Sequence, residues 1–361
     1  MSEFLISPKE YTSRRGPADD IVLSSRARLA RNLSGSPFPA WAKKSERIRI
    51  LKKARAAVLD VPDMVSCLSE DMDQLTGEEK SMLVERHLIS REHAARGGGS
   101  GLILNKEENI SVMINEEDHL RMQVILPGLQ VREAWQKINN LDSELDKRLP
   151  FAFSPTYGYL TACPTNLGTG MRVSAMLHLP ALSLSDQINQ IISAVDKIKF
   201  AVRGIYGEGS DPLGNMFQVS NRITLGETEE DIVKRFIMVV WALFEREKDA
   251  RRTLIETDQN LLLNHIGRSY GILSNCYSID AKETLNLLSF IRLGCDFGMF
   301  EDNNRGIVDE LFLTTQPGHL QSLTNEVLEP KRRDKIRADL LRRQIRKLGT
   351  PHEVEIPDAE N

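Results

Sequence analysis

Two runs of strict alternation constrain this chain more than any other feature. Ile110, Val112 and Ile114 alternate with Ser111 and Met113, and Met122, Val124 and Leu126 repeat the period after a short interval. A period of two puts successive side chains on opposite faces, so each run reads as a strand with one buried side. Between them lies Asn115-Glu116-Glu117-Asp118-His119-Leu120-Arg121, a polar stretch hung at the strand ends. Tyr157–Ala162 and Met216–Thr224 read as further strands. Helical spacing covers much of Ala40–Glu92, then Val131–Leu149 (stopped by Pro150), Leu184–Arg203 and Glu227–Arg252. Two glycine-rich stretches, 97–101 and 204–214, read as mobile loops.

Beyond about residue 253 strand signals nearly vanish, and helices separated by Gly or Asn run to Lys347. The expected organisation is a short N-terminal segment (1–20), an α+β domain over 21–252, a smaller all-helical domain over 253–347 and a frayed tail over 348–361. A chain of 361 residues has length enough for two cores. Lys and Arg total 47 against 51 Asp and Glu, a net charge of −4, so no global positive field is available to hold nucleic acid or an anionic membrane. The longest apolar run, Phe236–Phe244, is far shorter than a bilayer span of about 20 residues and reads as a buried helix segment. No secretory signal pattern opens the chain. Its four cysteines are far apart and form no CxxC pair, which fits free thiols in a reducing cytoplasm and gives no metal site.

The usual kinase patterns are missing. No Gly-Lys dipeptide occurs, so there is no GxxxxGK[ST] loop. Asp296-Phe297-Gly298 copies one protein-kinase triplet, but no HRD loop or APE accompanies it, and it reads as a helix end capped by glycine. The arginines say more. Ser24-Ser25-Arg26-Ala27-Arg28 puts two guanidinium groups on one side of an extended segment, Arg121 closes the acidic stretch, Arg172 follows Gly168-Thr169-Gly170, and Arg203 opens the second glycine-rich loop. Any one of them could be a surface ion pair of little worth. All five lie at strand ends or in loops of one domain, however, and planar forks that grip phosphate oxygens two at a time suit a nucleoside triphosphate.

The segments SSRAR, NEEDHLR and GYLTACPTNLGTGMR and the Arg203-Gly204 loop follow one another in the order and spacing of the phosphagen (guanidino) kinase catalytic domain. Over roughly residues 20–250 the chain resembles that family, which includes creatine and arginine kinases. The resemblance implies an antiparallel sheet flanked by helices, with ATP and Mg2+ at the site. It gives ATP contacts to Ser24, Ser25, Arg26, Ala27 and Arg28, to His87 against the adenine, and to Arg121. Further contacts fall to Arg172, Val173, Ser174, Ala175 and Met176, and to Arg203, Gly204, Ile205, Tyr206, Gly207 and Glu208. It makes Glu117 and Glu208 catalytic carboxylates and Cys163 a reactive thiol beside the guanidino substrate. Without the resemblance, His87 would be an ordinary helix histidine and Cys163 a small buried thiol. The chemistry agrees with the roles. A guanidinium with a pKa above about 12 has no free lone pair, and two carboxylates gripping its N–H groups can orient it and take its proton. Met176 stands where the family has a second adenine-site histidine, and Gln218 where it has an aspartate, so looser adenine contacts are expected.

In creatine and arginine kinases a helical domain precedes the SxRxR segment and partly covers the small substrate. Here SSRAR begins at Ser24, so the expectation is a site without that cover, open to an arginine side chain on a protein, with an extra helical domain at the other end. This arrangement resembles the bacterial protein-arginine kinases of the McsB type. Arg333, Asp334, Arg337 and Ala338 match that type's RDxxRA phosphoarginine-binding motif; read alone, the segment is a solvated basic helix. The resemblance further implies protein substrates with exposed arginine (among them a heat-shock repressor), an McsA-type activator, and a Clp ATPase and protease that degrade marked proteins in bacterial stress response. Allosteric control and a homodimer formed through the helical domain complete that picture. Two alternatives stay open: a phosphagen kinase acting on free arginine or a similar metabolite, and a non-catalytic phosphoarginine-binding adaptor.

Overall fold

The computed structural model describes residues 5–204, 213–301, 304–324 and 328–353. Alternation builds its sheet. In β1 (Val22–Arg31), Ser25, Ala27 and Leu29 are buried on one side while Ser24, Arg26 and Arg28 lie on the other. The remaining strands are β2 (Leu68–Asp71), β3 (Gly101–Leu104), β4 (Ile110–Ile114), β5 (Leu120–Pro127), β6 (Phe153–Ser154), β7 (Gly158–Tyr159), β8 (Met171–His178), β9 (Phe200–Gly204) and β10 (Met216–Asn221). β6 and β7 pair with each other as a small hairpin. The other eight form one antiparallel sheet in the order β2-β3-β4-β5-β1-β8-β10-β9, as expected.

Directly opposed residues share a face. Ala27 opposes Val124 and Val173, Leu29 opposes Met122, and Val219 opposes Ala175. This face carries the main core. Against it pack, in chain order, α2 (Lys44–Leu59), α5 (Val131–Asp146) and α8 (Glu229–Thr257), through residues such as Ile50, Ile138, Leu141, Phe236 and Val240. The connections carry α1 (Pro8–Thr12), α3 (Gly77–Glu85), α4 (Arg91–Ala94), α6 (Pro180–Leu184) and α7 (Ile188–Lys197). The opposite face is polar over the middle of the sheet and forms the floor of the site.

The helical part comprises α9 (Gln259–Asn275), α10 (Ala281–Asp296), α11 (Arg305–Thr314), α12 (Pro317–Ser322) and α13 (Pro330–Ile345) around a separate core of Leu262, Ile266, Leu288, Ile291, Val308 and Leu341. It is fastened to the sheet domain by polar bonds. Buried Arg292 donates to Asp20 O at 2.7 Å, Asp19 O at 2.8 Å and Asp309 Oδ1 at 2.9 Å, and Ser289 Oγ meets His178 Nε2 at 2.8 Å. No helix among the described residues is long and apolar enough to cross a membrane.

Several expectations shift. The helical reading of 184–203 ends at Lys197. Lys199 turns the chain at φ +66°, and Phe200 and Ala201 are buried as β9 pairs with β10. Two short strands were not read: β2 lies inside the stretch read as helical and β3 starts on the last glycine of the 97–101 loop, because four-residue strands give too few periods to register. The strand read over 157–162 shrinks to the two residues of β7. The run 236–244 is amphipathic within α8: Phe236, Val240 and Leu243 are buried while Met238 and Trp241 are exposed, since only one side of the helix meets the sheet. The helix also continues through residue 252, and the chain breaks at Asp258, whose carboxylate accepts from Leu261 N to cap α9. The 296–298 triplet is a helix end: Gly298 takes φ +71° and Met299 N returns to Gly294 O.

Candidate active site

β1 and its neighbours assemble four arginines on the polar face. Arg28 stands directly opposite Arg172, and Arg26 opposite Ser174, whose Oγ accepts from Arg26 Nε at 3.1 Å. Gln218 on β10 is flanked by Met176 on one side and Arg203 on the other. Opposed residues in a sheet hold their Cβ atoms about 5 Å apart, and like charges so placed are destabilising. Burial, then Arg172 and Arg121, push the Arg26 guanidinium down to about 10. Burial, then Arg26, Arg121 and Arg172, push Arg28 well below its ordinary value, and Glu116 only partly relieves it. A protein that concentrates cations in this way stores electrostatic free energy that a polyanion would release.

Arg26, Arg28, Arg172 and Arg203 line one cleft of about 910 Å³. A smaller cavity of about 260 Å³ shares Arg26, His87, Met216 and Gln218 with it and adds the apolar walls Leu23, Ile125 and Met176. The pair has the form of a nucleotide: a cationic trough for phosphates beside an apolar slot for a base. His87 follows the C-cap of α3 in a left-handed conformation (φ +58°), fixed by Gln123 Nε2 donating to its carbonyl at 2.8 Å. Burial and the neighbouring Arg26 and Arg91 push the imidazole down to about 4, so it is neutral at pH 7.

The fifth arginine is held differently. Arg121 donates to Glu116 at 2.7 Å and Glu117 at 2.6 Å. Burial works against its charge, but Glu116, Asp118 and Glu117 outweigh that and raise its pKa. Glu116 is buried and also accepts from Ser90 Oγ at 2.6 Å. Burial opposes its ionisation, yet Arg121, Ser90 and the Glu117 amide hold its pKa below the usual carboxylate range. Glu117, by contrast, has a side chain 44% exposed. Asp118 Oδ1 accepts from Asn32 Nδ2 at 2.6 Å and from Ala162 N at 2.7 Å. It thereby ties the acidic loop to the segment leading into Cys163, whose half-buried thiol lies 3.0 Å from Thr165 Oγ1.

The same alternation sorts the sequence-derived ATP contacts. Ser24, Ser174 and Met176 share the arginine face. Ser25, Ala27, Val173 and Ala175 point into the core or its edge, with Ser25 Oγ bonded to Gly128 O at 2.8 Å, so their side chains take no part in a cleft on the other face. Gly204 ends β9. Ile205, Tyr206, Gly207 and Glu208 lie outside the described residues. On α13, Arg337 is buried, donating to Thr315 O at 2.8 Å, Ile279 O at 2.9 Å and Asp334 Oδ1 at 2.6 Å, and Ala338 is buried beside it. Arg333 and Asp334 are half-exposed. Reading the sequence missed Phe312 and Leu313 of α11, which wall the smaller cavity, and Ser90 and Asn32, which hold the acidic loop. Nothing local marks these residues, because each contact spans a long loop.

Comparison with known proteins agrees with this geometry. Residues 50–250 match the ATP:guanido phosphotransferase C-terminal catalytic domain, and residues 259–356 match the protein-arginine kinase McsB C-terminal domain. The chain is 45% identical over 338 residues to a protein-arginine kinase of Halothermothrix orenii, covering 93% of this chain and 96% of that one. It is 46% identical over 338 residues to a protein-arginine kinase of Bacillus licheniformis, covering 93% of each. Among solved structures, a lombricine kinase superposes with a TM-score of 0.56 at 24% identity over 66% of this chain and 70% of that one, a likeness of fold. A duplicated taurocyamine kinase of Schistosoma mansoni reaches 0.59 at 23% identity over 81% of this chain and 49% of that one. By its arginine-lined sheet and its match along nearly the whole length, the chain belongs to the protein-arginine kinases of the ATP:guanido phosphotransferase family.

Proposed function

We propose that the protein transfers the γ-phosphoryl group of ATP to arginine side chains of proteins. The observation that carries this is the mutual repulsion of Arg26, Arg28 and Arg172 in a cleft that ends beside an acidic loop with one exposed carboxylate, Glu117. The arginines would take the phosphates, and the smaller cavity with His87 the adenine. Guanidinium donors repel a cation, so Mg2+ would arrive on the phosphates as part of the Mg·ATP substrate. Glu117, with Glu208 as its partner, would grip the target guanidinium. As a nitrogen of that group bonds to the γ-phosphorus, ADP leaves with the electrons of the broken P–O bond and a carboxylate takes the nitrogen's proton. Cys163 would stand beside the same group. Positioning and positive charge around the transferring oxygens supply most of the catalysis.

The helical domain carries the remaining proposals. The RDxxRA segment would read phosphoarginine allosterically, with Arg337 holding Asp334 in place for the guanidinium and Arg333 meeting the phosphoryl group. A homodimer through this domain, an McsA-type activator, a heat-shock repressor among the substrates, delivery of marked proteins to a Clp protease during stress and a cytoplasmic setting follow from the family resemblance. The test of the central reading is reaction of the chain with Mg·ATP and an unfolded arginine-containing protein, followed by mass spectrometry of samples kept away from acid. Phosphate on arginine, lost in Glu117→Gln, is the expected result. Phosphate confined to serine, threonine or tyrosine, or a Glu117→Gln variant as active as its parent, would overturn it.

A further inference from the structure

Three loops are tied by hydrogen bonds to the acidic loop or the Cys163 segment, and each carries a large apolar side chain into solvent. The first follows β1. His119 Nδ1 accepts from Leu33 N at 2.9 Å, its Nε2–H donates to Pro37 O at 2.9 Å, and four residues further on Trp41 is 84% exposed. The second is the β6–β7 hairpin. Ala152 N donates to Asn32 O at 2.7 Å, Asn32 in turn holds Asp118, and Phe153 and Tyr157 are 58% and 54% exposed. The third precedes α8. Thr224 Oγ1 donates to Leu167 O at 2.6 Å, within the segment that begins at Cys163, and the next residue, Leu225, is 49% exposed. Single exposed apolar residues are normal. A group of them anchored to two segments that are themselves joined, through Ala162 N and Asp118, marks an interaction surface.

Between the hairpin and the third loop lies a hollow of about 580 Å³ walled by Phe153, Tyr159, Leu225, Glu227, Glu229 and Asp231, with no Lys, Arg or His among its lining residues. Arg235 pairs with Glu227, and buried Arg31 stands 3.7 Å from Glu229, while Asp231 remains exposed. Its chemistry is apolar and acidic together. A chain segment that presents an arginine is cationic, and when unfolded it also exposes the apolar side chains a folded protein hides. Asn32, whose carbonyl takes the Ala152 amide and whose side chain donates to Asp118, joins the hairpin wall of this hollow to the loop that carries Glu117.

We propose that Trp41, Phe153 and Leu225 form the docking surface for an extended, locally unfolded segment of the acceptor protein on either side of the target arginine. This rests on the protein-arginine kinase reading and adds to it the form in which the acceptor binds. The test uses the full chain and its Trp41→Ser, Phe153→Ser and Leu225→Ser variants, single and combined, with thermal midpoints verifying that each folds. Two acceptors are compared: a blocked tripeptide with a central arginine, and a peptide of about a dozen residues, ~40 Å when extended, with apolar residues around the same arginine. KM for the long peptide is expected to rise about tenfold per lost contact, the scale of an interface anchor, with kcat and the tripeptide kinetics unchanged. Should the tripeptide turn over too slowly, fluorescence anisotropy of the long peptide on a Glu117→Gln background gives the same comparison as a dissociation constant. Unchanged affinity for the long peptide, or equal losses on both acceptors, would overturn the proposal. A parent chain that makes no phosphoarginine on any acceptor would defeat the kinase reading instead, so the two failures are separable.

Discussion

Two groups of arginines in this chain have opposite electrostatic fates. On the sheet, Arg26, Arg28 and Arg172 share one face, and burial together with their mutual repulsion lowers the pKa values of Arg26 and Arg28. At the junction with the helical domain, Arg292, Arg251 and Arg305 are interleaved with Asp19, Asp296 and Asp309. Burial there is outweighed, and Arg305 is pushed up by those three carboxylates. The lesson is that burial alone does not say what an arginine is for. A guanidinium saturated with acceptors holds structure together; guanidinium groups set against one another suit an anion supplied from outside the chain.

The comparison can be broken from either side. The largest effect is expected at the junction. Arg292→Ala takes a donor from Asp309 Oδ1, which keeps Arg15 on its other oxygen, and from the Asp19 and Asp20 carbonyls, and removing one partner of a buried pair costs about 3–5 kcal/mol; chemical denaturation would measure it, and a loss near zero would contradict the structural role. Next comes the sheet. Arg28→Ala should slow phosphoryl transfer by ~10²–10³-fold, about 3–4 kcal/mol, the scale of losing one preorganised charge at a transition state. Its thermal midpoint should stay level or rise, because repulsion with Arg26 and Arg172 is relieved; a variant that melts early would place Arg28 in the structural class.

Acid sensitivity comes third. His93 is fully buried, with Nε2–H donating to Gly101 O at 3.0 Å, and burial pushes it down to about 4 against the pull of Glu116. Unfolding lets it take a proton below pH 6.5 that the folded protein refuses until about pH 4. Its contribution to stability is therefore whole above 6.5 and is lost as pH falls through that window, by about 3 kcal/mol at most. Denaturation curves of His93→Gln should fall less steeply than the parent's across pH 6.5 to 4, and parallel curves would exclude this cause. The smallest effect is at Cys163. Replacement by serine keeps a partner for Thr165 and should cost activity about tenfold or less, near the worth of one hydrogen bond. A complete loss would instead make the thiol essential to the chemistry.

What could be read in advance follows the range of the interactions. The arginine face was legible because a period of two sorts Arg26 and Arg28 from Ala27 and Leu29 within five residues, and the acidic segment because its polar run interrupts two clear strands. The same periodicity sorts the longer motif readings: Ser25, Ala27, Val173 and Ala175 belong to contact segments in sequence yet turn their side chains to the core. Edge strand β9 was lost in a helical pattern, because four or five residues cannot establish a period against a preceding helix. The burial of Arg337 on α13 and the cross-domain grip of Arg292 were illegible, since the carbonyls that bind them come from residues far away in the chain.

The most direct check on the arginine face is a crystal structure of the chain with Mg2+ and a non-hydrolysable ATP analogue. The triphosphate should lie in the sheet cleft with its oxygens about 3 Å from the Arg26, Arg28, Arg172 and Arg203 guanidinium groups, and the base beside His87 and Met176. A triphosphate seated elsewhere, with those four side chains making no contact to it, would contradict the account.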